Sequence, residues 1–249
     1  MKLRRYPIFL VLSLLAVAAA ACDKKVGASA SPSAGQQVFV DANAAQVADA
    51  ISANDAASVR RLLEAGANSN AVGEKGTSLL RWAIVKNSSA SFEALLSGGA
   101  DPAWSDVSGA TVVHEAARNE DTTYLKMLLA HRIRPDIANP ISGETPLMVA
   151  ISNHVEVEFQ ALLAAGANPN LADRMGNTPL HVAGEVNASS LALELLQAGA
   201  DPRAVNRQGV TFVRYLDMTP DNVLTDDARS QREAVHTWLS VHQVAAEGR

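Results

Sequence analysis

The side chains able to do chemistry are few: one cysteine, Cys22, and six histidines, His114, His131, His154, His181, His236 and His242. A zinc site needs imidazoles brought together at helix or loop spacing. No two of these histidines share a spacing that sets both on one helix face beside a third ligand, so no metal is expected and no cofactor either. The chain has no H-E-x-x-H, no G-x-S-x-G elbow, no phosphate loop and no G-x-G-x-x-G. Glu115, Glu144 and Glu185 would make an acid–base pair only if the fold aligned two of them across one face. With His181 they leave a hydrolase of unrecognised type as a distant alternative to a solvated charged surface, and a non-enzymatic protein is expected. Cys22 cannot form an internal disulfide, and a free thiol is a liability in an oxidising compartment.

The residues before Cys22 resolve that liability. Lys2, Arg4 and Arg5 precede an apolar run from Ile8 to Ala21 that ends in small residues, the order of a secretory leader. The run is too short and too alanine-rich at its end to be a convincing permanent span, which takes about 20 strongly apolar residues. Ala19-Ala20-Ala21-Cys22 resembles the lipobox of bacterial lipoproteins, with Ala19 where that motif prefers leucine. The resemblance implies cleavage after residue 21, acylation of Cys22 and a lipid anchor facing the periplasm. Asp23 next to the cysteine resembles an inner-membrane retention signal, which favours the inner over the outer membrane. Residues 22–37 then read as the lipidated cysteine and a flexible Ala, Ser, Gly and Pro tether of roughly 20 Å root-mean-square span.

What positions the remaining residues is a helical repeat. The composition is 48% hydrophobic but only 4% aromatic, and the alanine and leucine that fill it favour helix. Leu-Leu followed by Gly-Ala recurs at Leu62, Leu95, Leu162 and Leu195, with a degenerate copy at Leu128-Leu129 where Arg132-Ile133 replaces Gly-Ala. A second marker, Gly76, Gly109, Gly143, Gly176 and Gly209, keeps the same phase at intervals of 33, 34, 33 and 33 residues. The longer interval puts one extra residue between Arg134 and Gly143. Thr145 and Thr178 stand where a hydroxyl caps a helix and the next proline fills its first turn. Glycines 66, 99, 166 and 199 fall where a left-handed residue stops a second helix. A unit of this kind cannot bury its apolar face alone, so several must stack, with altered ends.

Gly176-Asn177-Thr178-Pro179-Leu180-His181-Val182-Ala183 resembles the ankyrin signature, and Gly143-Glu144-Thr145-Pro146-Leu147-Met148-Val149-Ala150 is nearly as close. Weaker versions in register begin at Ser78 and Thr111. The resemblance implies an all-α ankyrin solenoid of about five to six units with hairpin-like connections, over residues 38–217. Residues 218–249 are expected to form a capping helix and tail, with Val235, Trp238 and Leu239 turned inward. It also makes His114 and His181, at one position of two repeats, part of a hydrogen-bonded framework.

By the same resemblance the chain binds a protein, through its hairpin tips and the open side of its first helices. The candidate residues are Glu74, Lys75, Asp106, Ser142, Arg174, Met175 and Arg207 at the tips, and Arg81, Trp82, Glu115 and Arg118 on first helices; Trp82 reads equally well as core. A monomer apart from its partner is expected. Loss of the leader removes three basic residues and takes the formal charge from −5 to −8. That excludes the basic face nucleic-acid binding needs and favours a basic partner through steering. The expected role is a membrane-tethered scaffold or accessory to a periplasmic protein. The alternative is an immunity protein that neutralises a secreted antibacterial effector such as a phospholipase.

Overall fold

The computed structural model describes residues 32–244; the leader and Cys22 lie outside them. Thirteen α-helices and no strand occur among the described residues. After α1 (Ala34–Val38) the helices come in pairs: α2 (Ala42–Ser52) with α3 (Ala56–Glu64), α4 (Leu79–Val85) with α5 (Ser89–Ser97), and α6 (Val112–Ala117) with α7 (Thr123–Ala130). There follow α8 (Pro146–Ser152) with α9 (Glu156–Ala164), α10 (Pro179–Glu185) with α11 (Ser189–Gln197), and α12 (Phe212–Leu216) with α13 (Asp226–Val241). The first helices pack in one row, α2 on α4 on α6 on α8 on α10 on α12, and second helices form another layer. The solenoid read from the 33-residue period is the architecture observed.

Local chemistry starts most first helices and stops the second helices. The Asp41 carboxylate accepts the Ala44 N–H, the Ser78 hydroxyl the Arg81 N–H and the Thr145 hydroxyl the Met148 N–H. Each satisfies a donor that the first turn leaves unpaired. Pro146 and Pro179 stand in the first turn, where a missing N–H loses nothing. At the far end Gly66 takes φ +94° and lets the Ala67 N–H reach the Leu62 carbonyl. In the degenerate third copy Arg132 adopts the same left-handed conformation, φ +58°, and Ile133 N–H still bonds to Leu128 O. The geometry survives there although glycine is gone.

The core runs through the stack without a break. Ala83, Ala116, Ala117, Ala150 and Ala183 are fully buried where first helices approach closely, and Leu95, Leu128, Leu162 and Leu195 fill the space behind them. Phe92 meets the Tyr124 ring edge-on with centroids 5.1 Å apart.

Both ends are closed differently from the middle. The segment read as tether ends before Ser33, because Ser33 and Gln36 form a reciprocal capping box that opens α1. Gly35 then donates its N–H to Asp49, and a Cβ there would stand 2.3 Å from the Ala45 carbonyl oxygen. Small residues that look like coil by composition here allow a close backbone approach. Phe39 follows, buried under Trp82. At the other end Val235 and Leu239 of α13 are buried and Trp238 is half-buried. The buried Arg232 guanidinium donates to the carbonyls of Leu216 and Thr219 and pairs with Asp221, which fixes α13 across the last repeat.

Candidate partner-binding face

One side chain builds the crown of each later hairpin. The Asp106 carboxylate accepts N–H groups from Ser108 and Ala110, and Asn139 accepts from Ile141 and Ser142. Asp173 accepts from Met175 and Asn177, and Asn206 from Gln208 and Val210. Such Asx turns give the backbone a ready-made bend. The marker glycines alone do not reveal Asn139, Asp173 and Asn206, although their signal is present in the sequence: Asp or Asn stands three residues before Gly109, Gly176 and Gly209 and four before Gly143. The extra residue of the 34-residue interval therefore lies in the crown from Asn139 to Gly143.

Neighbouring crowns are tied through main-chain atoms. Val107 N–H donates to Lys75 O at 3.3 Å, Arg174 N–H to Ser142 O at 2.8 Å and Arg207 N–H to Met175 O at 2.9 Å. Between the crowns of Asp106 and Asn139 the Asn139 amide donates to Ser108 O instead. Close contact explains the glycine at 143, which has φ +79° and would place a Cβ 2.8 Å from the Arg174 nitrogen.

The two framework histidines act alike. Thr111 N–H donates to His114 Nδ1, so Nε2 carries the proton and donates to Glu144 O at 3.0 Å. His181 repeats this with Thr178 N–H and Val210 O. Burial pushes the His114 imidazole below its ordinary range, which keeps it neutral at physiological pH. Each ring is committed to joining one repeat to the next.

Arg81 gathers the charges of the early first helices. It pairs with Asp106 and reaches Glu115 at 3.4 Å, and Arg118 lies 4.0 Å from the same Glu115 oxygen. These four residues therefore form one ion cluster that joins successive repeats. Burial raises the Glu144 carboxyl above the usual range. Glu74, Lys75, Ser142, Arg174, Met175 and Arg207 lie on the crowns. Trp82 is committed to packing: its indole N–H reaches Ala48 O and Ser52 Oγ, its ring meets the Phe39 ring at 6.2 Å, and Lys86 Nζ covers it at 4.3 Å.

One acid stands apart. Glu158, on α9, is fully buried with neither carboxylate oxygen hydrogen-bonded, and burial pushes it up to about 7. Among the described residues no three His, Cys, Asp or Glu side chains are grouped to hold a metal, and no helix is long and apolar enough to cross a membrane.

Paired helices in register, capped by crowns that carry side chains on a bonded frame, define a repeat protein of the recognition-surface type. The comparisons make the class specific. A family model described as ankyrin repeats (3 copies) matches residues 47–139 and 113–206, and the chain belongs to the ankyrin-repeat family. It is 34% identical over 179 residues to "Protein PhlB" of Serratia liquefaciens, covering 71% of this chain and 76% of that protein. Among solved structures, the ankyrin repeat domain of Bcl-3, a member of the IkappaB protein family, is similar with TM-score 0.64 at 28% identity, over 69% of this chain and 79% of that one. The human ASB11 ankyrin repeat domain gives TM-score 0.59 at 27% identity, over 75% and 81%. The ankyrin repeat protein EF0377 gives 0.65 at 20%, over 77% and 96%, a likeness of fold.

Proposed function

We propose that this chain is a lipid-anchored periplasmic protein-binding module, which uses its crowns and first-helix face to hold one protein partner as a scaffold or accessory. The supporting observation is the row of crowns. Their frame is closed by three main-chain bonds and the Asn139 amide, while Lys75, Val107, Ile141, Arg174, Met175 and Arg207 expose their side chains to solvent. Such a surface is formed before a partner arrives, which lowers the ordering cost of association. The anchor rests on Cys22 and its leader, residues outside the described part.

A photo-reactive side chain at Met175 tests the face, with the same group at exposed Gln160 on α9 as reference. The expected result in cells is one discrete cross-linked protein from position 175 and none from 160. Equal products from both positions would overturn this reading. A secreted effector such as a phospholipase in that cross-link, rather than a resident protein, would assign the immunity role. Cys22→Ser is expected to move the chain from the membrane fraction to the soluble one; an unchanged distribution removes the anchor.

A further inference from the structure

The crowns do not share the chemistry of the chain as a whole. The sequence is acidic, with 26 Asp and Glu against 21 Lys and Arg, a balance that by itself favours a basic partner. On the last two crowns the exposed charges are both positive. Arg174 and Arg207 are exposed on successive crowns joined by the Arg207 N–H to Met175 O bond, and neither belongs to an ion pair among the described residues. Arg174 reaches back to the Pro140 carbonyl, which settles it against the preceding crown. The nearest acid in sequence, Asp173, is turned into its own crown and accepts the N–H groups of Met175 and Asn177 and the Asn177 side-chain amide.

Next to these cations lies a row of apolar side chains. Val107 is 71% exposed, Ile141 57% and Met175 53%, one on each of three consecutive crowns. Single exposed apolar residues are ordinary, but one on each of three stacked crowns makes a row that a partner can cover. Repeats stacked at helix-packing distances of about 8–10 Å put four crowns, from Val107 to Arg207, along roughly 25–30 Å. That is the length of about eight residues of extended chain at about 3.3 Å each.

The geometry points to an extended segment of a protein partner, about eight residues long, with apolar side chains over Val107, Ile141 and Met175 and carboxylates at the end that meets Arg174 and Arg207. This rests on the protein-binding reading above and names the chemistry of what that face takes. A narrow segment feels the local arginines. An anionic bilayer would face the whole acidic chain and be repelled by it.

The test uses the purified full chain and two synthetic nine-residue peptides labelled for fluorescence anisotropy. Both carry leucine and valine in one half; the other half is rich in aspartate in the first and in lysine in the second. The aspartate peptide is expected to bind, at least tenfold more weakly when NaCl rises from low to several hundred millimolar. Arg174→Glu with Arg207→Glu should cost at least tenfold in its affinity and transfer preference to the lysine peptide. Ile141→Ser with Met175→Ser should weaken both peptides equally. Unchanged helicity and melting in these surface variants separates lost binding from lost folding. Preference of the unaltered chain for the lysine peptide would overturn the proposal while leaving a peptide-binding face in place. Binding of neither peptide overturns it, and so does co-sedimentation with phosphatidylglycerol vesicles that the arginine substitutions abolish. The cross-linking experiment at Met175 decides separately whether the crowns meet a protein in cells.

Discussion

The Nε2 of His114 lies 3.0 Å from the main-chain oxygen of Glu144, thirty residues along the chain, so one imidazole spans the joint between its own repeat and the next. Replacing it removes the acceptor of the buried Thr111 N–H and one of the two donors to the Glu144 carbonyl, which keeps the Asn139 N–H, a loss of about 1–3 kcal/mol. His114→Ala is therefore expected to lower the melting temperature by several degrees, with His181→Ala acting alike through Val210 O. The pH dependence has a definite sign. The folded imidazole resists protonation because it is buried, whereas the unfolded one titrates at its ordinary 6.5. Stability due to this group is complete above 6.5 and is lost as pH falls below it. Urea melts of the variant that keep the full acid-side slope would refute the assignment.

Glu158 works in the opposite direction. Its ordinary value is 4.5 and its folded value about 7. Below 4.5 it is protonated in both states and imposes no ionisation penalty. Between 4.5 and 7 the unfolded chain ionises first, so stability falls, and above 7 the penalty is full at about 3 kcal/mol. Leu191 occupies the corresponding place in the next repeat and is buried. Glu158→Leu should thus stabilise the protein by about 3 kcal/mol at about pH 8. The gain should shrink towards pH 4.5, and a gain of equal size at both pH values would show that ionisation is not its source.

Two glycines with similar backbone angles separate strain from crowding. At Gly143, with φ +79°, a Cβ would stand 2.8 Å from the Arg174 nitrogen, while Gly166 has φ +86° and open space within 4 Å of that position. Alanine at 166 should cost about 1–2 kcal/mol, the penalty of a left-handed residue with a side chain. Alanine at 143 should cost clearly more and should loosen the Arg174 N–H to Ser142 O bond. Equal losses, or an unprotected Arg174 amide already in the wild type by hydrogen exchange, would contradict the close approach.

Arg132 carries the left-handed conformation that glycine supplies at the ends of α3, α5, α9 and α11. Arg132→Gly should relieve more strain than it adds in unfolded-chain entropy, a gain of about 0.5–1 kcal/mol. Thermal denaturation checks it, and a lower midpoint would mean that the Arg132 side chain contributes contacts worth more than the strain.

Much of this is legible in the residues because the repeat states each message several times. The Leu-Leu helix ends, the capping threonines and the left-handed glycines are local devices, and local devices recur in sequence. What escapes depends on distant neighbours. Ser33 and Gln36 look like linker until Asp49 and Ala45 are packed against Gly35. Trp82 reads as core or surface until Phe39 closes against it. Glu158 looks like one more helix-surface acid, since nothing in a second helix's own sequence says that this position faces inward. The ion cluster joins Arg81 to Asp106 and Glu115 in the next repeat, and only stacking brings them together.

The bonds between crowns have a consequence for how such a protein changes over generations. Val107, Arg174 and Arg207 serve the frame with their main-chain N–H groups, a donor that every amino acid except proline possesses. Selection can therefore rewrite the side chains at these three positions one by one while the inherited scaffold keeps its geometry. Mutational tolerance is concentrated in the same few positions that the proposed binding face presents to solvent, so lineages that share this fold are free to diverge fastest there.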